Sequence, residues 1–193
     1  MENNMEKKMD NHICPWWIGY FLLSPLRKLR QDPKKILAPH VSEGVTCLDA
    51  GSAMGYFSLP MASLVGPAGK VYCVDLQERM LATLRRRAVR AGLENIIDTI
   101  RATGASLNID MLKESVDFAL AFAVVHEVPD ADVFFREMAL AVRKGGRLLF
   151  AEPAGHVSRG HFEVSLGKAH AAGFHEEESL NLWRSHAVIL KRK

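Results

Sequence analysis

Apolar residues occur in short runs that alternate with longer amphipathic stretches from residue 45 onward. Runs of about four to eight apolar residues bounded by glycine or aspartate are typical of strands buried in a parallel sheet. They predict strands at Val45–Ala50, Lys70–Asp75, Ile96–Arg101, Val116–Phe122 and Arg147–Ala151. The amphipathic stretches have helical spacing and predict helices at Tyr56–Val65, Gln77–Ala91, Asp130–Val142 and Arg159–Ala172. This alternation predicts an α/β fold around a mostly parallel sheet.

The two ends of the chain depart from this alternation. Residues 16–30 carry apolar side chains at helical spacing, and Asp32-Pro33 predicts the start of a short helix that ends at Ala38. We therefore interpret residues 1–40 as an N-terminal helical extension and residues 41–193 as the main domain. At the other end, Glu176–Leu182 and Trp183–Leu190 predict two strands joined as an antiparallel hairpin.

Composition narrows the class of protein. A chain of 193 residues, 48% hydrophobic and 24% charged, fits one globular domain, and a net charge of +3 is too small to indicate a nucleic-acid partner. Three cysteines without CxxC or Cys/His spacing predict no metal site and a reducing, cytoplasmic location. The apolar stretch Ile13–Leu23 is too short to span a bilayer.

The stretch Asp49-Ala50-Gly51-Ser52-Ala53-Met54-Gly55 follows the first predicted strand with a carboxylate and a turn of small residues. Parallel sheets bind ligands at such strand ends. A dinucleotide site requires G-x-G-x-x-G, which this spacing does not match, and Asp49 would repel a phosphate. No G-K-[ST] follows for a phosphate-binding loop. The carboxylate favours a cationic ligand, and S-adenosylmethionine carries both an ammonium and a sulfonium.

The same stretch resembles the D-x-G-x-G-x-G signature of class I S-adenosylmethionine-dependent methyltransferases, with Ala53 in place of the middle glycine. The resemblance covers residues 45 to 191. It implies a Rossmann-like, doubly wound sheet of seven strands in the order 3-2-1-4-5-7-6, with a C-terminal antiparallel hairpin strand. It also implies S-adenosyl-L-methionine as the cofactor and requires no metal.

The resemblance implies a set of cofactor-binding residues. Asp75, at the end of the second strand, would accept hydrogen bonds from the ribose hydroxyls; alternatively, or in addition, it caps the helix that starts near Gln77. The family commonly has an acid after the third strand, but residues 102–106 contain none, so Ser106 or backbone groups would serve there. The whole implied set is Asp49, Gly51, Ser52, Ala53, Gly55, Asp75, Leu76, Gly104, Ala105, Ser106 and Phe122.

A second motif, His126-Glu127-Val128-Pro129-Asp130, follows the fourth strand and resembles the H-x-V-P-D loop of small-molecule methyltransferases, including the ubiquinone/menaquinone and arsenite-type branches. His126 is the candidate catalytic residue, which would orient a nucleophile or take its proton; the alternative is that it only holds the loop. The candidate substrate contacts are Trp16, Tyr20, His126, Glu127 and Glu152.

These patterns predict an S-adenosylmethionine-dependent methyltransferase that acts on a small molecule by in-line transfer. The alternatives are a non-catalytic S-adenosylmethionine-binding regulatory or accessory protein and an NAD-dependent oxidoreductase. A small-molecule substrate, no nucleic acid and no membrane span are expected, and a homodimer is compatible with the sequence.

Overall fold

The computed structural model describes residues 31–193, which form one seven-stranded sheet in the order β3-β2-β1-β4-β5-β7-β6. The strands are β1 Thr46–Ala50, β2 Lys70–Asp75, β3 Ile97–Arg101, β4 Val116–Phe122, β5 Val142–Pro153, β6 Phe174–Ser179 and β7 Ser185–Arg192. The helices are α1 Pro33–Leu37, α2 Ser58–Val65, α3 Glu78–Ala91, α4 Ala131–Ala141 and α5 Arg159–Ala171. This strand order confirms the predicted fold.

The pairing of the strands fixes where a ligand can bind. β1 pairs in parallel with β2 on one side and β4 on the other, and β3 and β5 extend the parallel sheet. β7 is antiparallel to both β5 and β6. The chain moves outward from β1 in opposite directions along the sheet, so a crevice opens at the carboxyl ends of β1 and β4.

Two helix boundaries confirm the signals in the sequence. α3 ends at Gly92, whose φ of +67° lies in the left-handed region that glycine adopts without a steric cost. α4 begins after Asp130, whose side chain accepts hydrogen bonds from the backbone N–H groups of Asp132 and Val133. These end signals fix the direction in which each helix returns across the sheet.

The predicted strand bounds differ most from the structure in two places, at the start of β5 and around the connection between β6 and β7. β5 begins at Val142, because α4 runs directly into the strand and Gly145-Gly146 lies within it at an irregularity in the pairing with β4. β6 ends at Ser179 and β7 begins at Ser185, so the connection between them falls at residues 180–184. That shift places Trp183 and Arg184 in a loop instead of a strand.

The core lies on both faces of the sheet. One cluster packs α4 and α5 against the sheet through Phe135, Phe150 and Phe162. The other packs α1, α2 and α3 on the opposite face and includes Leu37 and Met61. Only the last ten residues of the predicted N-terminal extension are described, so the division at residue 40 stays a prediction. Within residues 31–193, no helix is both long and apolar enough to cross a bilayer.

Candidate active site

A cavity of about 670 Å³ opens beyond the carboxyl ends of β1, β2 and β4. Its size is that of a typical small-molecule site. Three segments supply much of its wall: the turn after β1, the loop after β4, and the connection between β6 and β7. Parallel pairing of β1 with β2 and β4 brings the first two of these segments together.

The turn after β1 is fastened to β2 by backbone hydrogen bonds. The N–H groups of Gly51 and Ser52 both donate to the carbonyl oxygen of Val74 at 2.9 Å. The N–H of Ala53 donates to Oδ2 of Asp75 at 2.8 Å. Ala53 has a φ of +46°, so the chain makes the left-handed turn without a glycine at this position.

Two carboxylates face this turn. Asp49 is buried, and its Oδ2 accepts a hydrogen bond from the Ser58 hydroxyl at 2.6 Å. Burial raises the pKa of Asp49 to about 7; the Ser58 hydrogen bond opposes the rise and the charge of Asp75 adds to it. Burial also raises the pKa of Asp75, against the effect of its backbone donors.

Asp75 does cap the following helix. Its Oδ1 accepts the N–H of Gln77 at 2.8 Å, while its Oδ2 holds Ala53. An ionised carboxylate has about four acceptor sites, so these two bonds leave capacity for a ligand.

The residues around the turn suit S-adenosyl-L-methionine better than a phosphate-bearing ligand. Asp49 and Asp75 both line the cavity, and two carboxylates there would attract an ammonium and repel a pyrophosphate. Ser52 also lines the cavity, while its hydroxyl is buried and has no hydrogen-bond partner among residues 31–193.

The loop after β4 presents a histidine held by a buried acid. Ala123, with a φ of +59°, turns the chain out of β4, and His126 follows on a 3₁₀ turn, Val125–Glu127. Nδ1 of His126 lies 2.5 Å from Oε2 of Glu152, and Oε1 of Glu152 accepts the N–H of Val125 at 2.7 Å. The hydrogen bond to Glu152 raises the pKa of His126 and outweighs the opposing effect of burial.

The opposite wall was missed by the sequence interpretation. Trp183, Arg184 and Ser185 form this wall, and His156 lines the cavity from the loop after β5. Gln31 fastens this wall: its amide nitrogen donates to the carbonyl oxygen of Trp183 at 3.2 Å, and the Tyr56 hydroxyl donates to the Gln31 carbonyl at 2.8 Å. Hydrophobic periodicity alone did not separate this loop from the adjoining strands.

The structure brings most of the predicted site residues together around the cavity. Those that line it are Asp49, Gly51, Ser52, Ala53, Asp75, Leu76, Gly104, Phe122, His126 and Glu127. Those that do not are Gly55, Ala105, Ser106 and Glu152. Trp16 and Tyr20 lie outside the described residues.

Three of the four described residues away from the cavity wall, Gly55, Ser106 and Glu152, have a visible structural role. A Cβ on Gly55 would come within 2.6 Å of Leu59, so this glycine permits close packing beneath the turn. The Ser106 hydroxyl accepts the N–H of Asn108 at 2.9 Å within its own loop. Glu152 lies behind His126 and is 1% exposed. The described part of the chain contains no group of three or more His, Cys, Asp or Glu side chains arranged to hold a metal ion.

Comparisons with known proteins identify relatives of this fold. A family model described as "Methyltransferase domain" matches residues 48–150, more than half of the chain. A ubiquinone/menaquinone biosynthesis C-methyltransferase from Hahella chejuensis is 33% identical over 113 residues, covering 58% of this chain and 44% of that protein. An arsenite methyltransferase from Aquipseudomonas alcaligenes is 29% identical over 149 residues, covering 74% and 43%. This chain therefore spans less than half the length of either relative.

A solved structure matches over nearly its whole length. The crystal structure of a SAM-dependent methyltransferase from Aquifex aeolicus has a TM-score of 0.82 and 23% identity. The match covers 92% of this chain and 98% of that one. At this identity the likeness establishes the fold.

Proposed function

Because the chain belongs to the methyltransferase domain family, we propose that it transfers a methyl group from S-adenosyl-L-methionine to a small-molecule acceptor. The observation that carries this proposal is the shared cavity. It joins the small-residue turn and carboxylates Asp49 and Asp75 at one end to the His126 loop at the other. A cationic methyl donor and an acceptor could therefore meet in one site.

The residues around the turn after β1 are suited to hold the cofactor. Asp49 is suited to hold the amino-acid part, because it offers a negative charge on the cavity wall. Asp75 is suited to the ribose hydroxyls through its remaining acceptor capacity. Leu76 and Phe122 add apolar surface to the cavity wall.

When bound, S-adenosyl-L-methionine supplies an activated methyl group on a sulfonium that leaves readily. The protein's own task is then to align the acceptor with that methyl group and to exclude water. The walls supplied by His126, His156 and Trp183 serve this alignment at the acceptor end.

The acceptor is a small molecule in this proposal. Two relatives are a ubiquinone/menaquinone biosynthesis C-methyltransferase and an arsenite methyltransferase, and the cavity here has the volume of a small-molecule site.

The experiment is incubation of the purified chain with S-adenosylmethionine and separate dialysable, protein and RNA fractions of a cell extract. We expect S-adenosylhomocysteine to form with the dialysable fraction. Formation only with protein or RNA would contradict the acceptor class. Binding of S-adenosylmethionine without turnover in any fraction would favour the non-catalytic accessory protein instead.

A further inference from the structure

Glu152 uses both of its carboxylate oxygens on the loop that carries His126. Oε2 meets Nδ1 of His126 at 2.5 Å, and Oε1 accepts the N–H of Val125 at 2.7 Å. The carboxylate comes from the end of β5, in the centre of the packed sheet, and is almost fully buried. A buried acid with two hydrogen bonds to one short loop fixes both the backbone of that loop and the orientation of the His126 ring.

The chemistry of the contact sets the tautomer of His126. An ionised carboxylate can only accept hydrogen bonds, so Nδ1 must carry the proton. In the neutral ring, Nε2 then has the free lone pair. Nε2 lies on the side of Glu127, 3.8 Å from its Oε1, and both residues line the cavity. The basic nitrogen of His126 therefore lies beside a second residue of the wall of the proposed acceptor site.

We propose that Glu152 is a positioning residue that holds His126 as a general base, and that the acceptor's nucleophilic atom carries a removable proton. The acceptor class is a hydroxyl compound or a carbon acid beside a carbonyl group. This inference rests on the proposed methyl transfer and specifies its acceptor.

The cavity lining favours this class over soft acceptors. A thioether, a tertiary amine or arsenite already has an available lone pair and would need no fixed base. Arsenic also prefers thiolate ligands, as soft centres do. The two described cysteines, Cys47 and Cys73, are buried inside strands and do not line the cavity.

The proposed step moves one proton and one methyl group. His126 Nε2 takes the proton from the acceptor's oxygen or carbon atom. The electron pair left on that atom forms the bond to the methyl carbon, and the carbon–sulfur bond breaks with its pair remaining on sulfur. Glu152 stabilises the imidazolium that results, which then loses its proton to solvent.

The charges around His126 support this role. The titratable groups that face His126 are Glu152, Glu127 and His156. The ring centroids of His126 and His156 are 6.1 Å apart. On β7, His186 is the pairing partner of Glu152. The hydrogen bond to Glu152 is the largest influence on the pKa of His126 and raises it. A base with a raised pKa gains its reactive, neutral form as the pH rises through that value.

Nitrogen NMR of the His126 ring tests the inference without an acceptor. We expect the neutral ring of the wild-type chain to carry its proton on Nδ1 and to titrate above the ordinary histidine value. In Glu152→Gln, the introduced carbonyl can still accept from Val125, but the amide N–H₂ would face Nδ1. The proton should therefore move to Nε2, and the pKa should fall. A wild-type ring protonated on Nε2, or a pKa unchanged by the substitution, would overturn the positioning role.

The identity of the methylated product tests the acceptor class. Mass spectrometry of the product formed with the dialysable fraction should show an oxygen- or carbon-bound methyl group; methylation on sulfur, arsenic or a tertiary amine would overturn the inference. Glu152→Gln should reduce kcat by about 100-fold or more, which is the usual contribution of a general base, and should shift the acidic limb of the pH profile to lower pH. His161→Gln, at an exposed position of α5 that does not line the cavity, is the control, and its profile should keep the wild-type limb.

Cofactor binding separates this inference from the proposed function. Glu152→Gln should bind S-adenosylhomocysteine as tightly as the wild-type chain, because Glu152 does not reach the turn after β1. If neither protein binds it, the methyltransferase proposal fails, whatever the tautomer of His126. If both bind it but the tautomer is the other one, only the present inference fails.

Discussion

Ala53 adopts a left-handed backbone conformation at the turn that would hold the cofactor. For a residue with a Cβ this conformation costs roughly 1–2 kcal/mol. The turn nevertheless forms, because the N–H of Ala53 is held by Asp75 and the preceding N–H groups are held by Val74. The departure from the glycine pattern is therefore compatible with an intact turn.

Ala53→Gly should raise the free energy of unfolding. Relief of about 1–2 kcal/mol of left-handed strain is partly offset by about 0.4–1 kcal/mol of added unfolded-state entropy, which leaves a gain of up to about 1.6 kcal/mol. Urea denaturation measures the change. Ala82→Gly, within α3, is the matched control and should lower stability by about 1 kcal/mol. Equal losses for both variants would show that the turn carries no strain.

The pKa of Asp49, about 7, predicts a pH-dependent cofactor affinity. Only the ionised carboxylate attracts an ammonium, so a pH rise from 6 to 8 should strengthen the binding of S-adenosylhomocysteine. Calorimetry across this range measures the trend. Asp49→Asn keeps an acceptor for the Ser58 hydroxyl but has no charge to titrate, so it should bind more weakly and with a flatter pH profile. A wild-type affinity that falls with pH would contradict this account.

At the scale of elements, the turn after β1 and the loop after β4 are packed against each other. A Cβ on Gly51 would lie 2.6 Å from Cγ2 of Val124, and the φ of Gly51 is +81°. The turn after β1 and the loop after β4 therefore meet at the contact between Gly51 and Val124. A shift in the cofactor turn would be transmitted to the segment that carries His126.

A double-mutant cycle tests this contact. Gly51→Ala should destabilise the chain by about 1–3 kcal/mol, as overpacking does, with the left-handed conformation adding to the cost. Val124→Ala removes the colliding methyl groups, so the double variant should recover part of the loss. The two changes should show a coupling energy of about 0.5 kcal/mol or more in denaturant unfolding. Strict additivity would mean that the two loops are independent.

The bounds of the strands show which elements could be predicted from the sequence. β2 and β4 match their predicted bounds, because continuous apolar runs with clear polar ends mark buried parallel strands. β5 was predicted too short, since two glycines inside a strand look like a turn when the neighbouring strand is unknown. The distinction depends on pairing with β4 and β7, which periodicity does not encode.

The candidate site was predictable where a motif follows a strand. Asp49, Asp75 and His126 could be placed at one edge because parallel strand ends converge there. The link between His126 and Glu152 depends on β4 and β5 being neighbours, and the wall containing Arg184 depends on β7 returning antiparallel to β5. Such long-range placements have no local signal in the residues themselves.

At the scale of the whole molecule, the carboxylates Asp49 and Asp75 on the cavity wall predict that it prefers a cationic adenosyl ligand to a dinucleotide. Ligand binding also stabilises the folded chain by mass action, by about 2.7 kcal/mol at a free concentration of 100 times Kd. S-adenosylhomocysteine should therefore raise the melting temperature of the wild-type chain, and NAD should leave it unchanged. A shift caused by NAD alone would favour the oxidoreductase alternative.

The most direct test is calorimetric titration of the wild-type chain, Asp75→Asn and Asp75→Ala with S-adenosylhomocysteine and with NAD. The account predicts that the wild-type chain binds S-adenosylhomocysteine and not NAD. Asp75→Ala should weaken that binding by about 10- to 100-fold, the usual worth of a hydrogen bond to a charged group, and Asp75→Asn should lose less because it keeps one acceptor. Unchanged affinity in Asp75→Ala, or binding of NAD in place of S-adenosylhomocysteine, would contradict the assignment of this cavity.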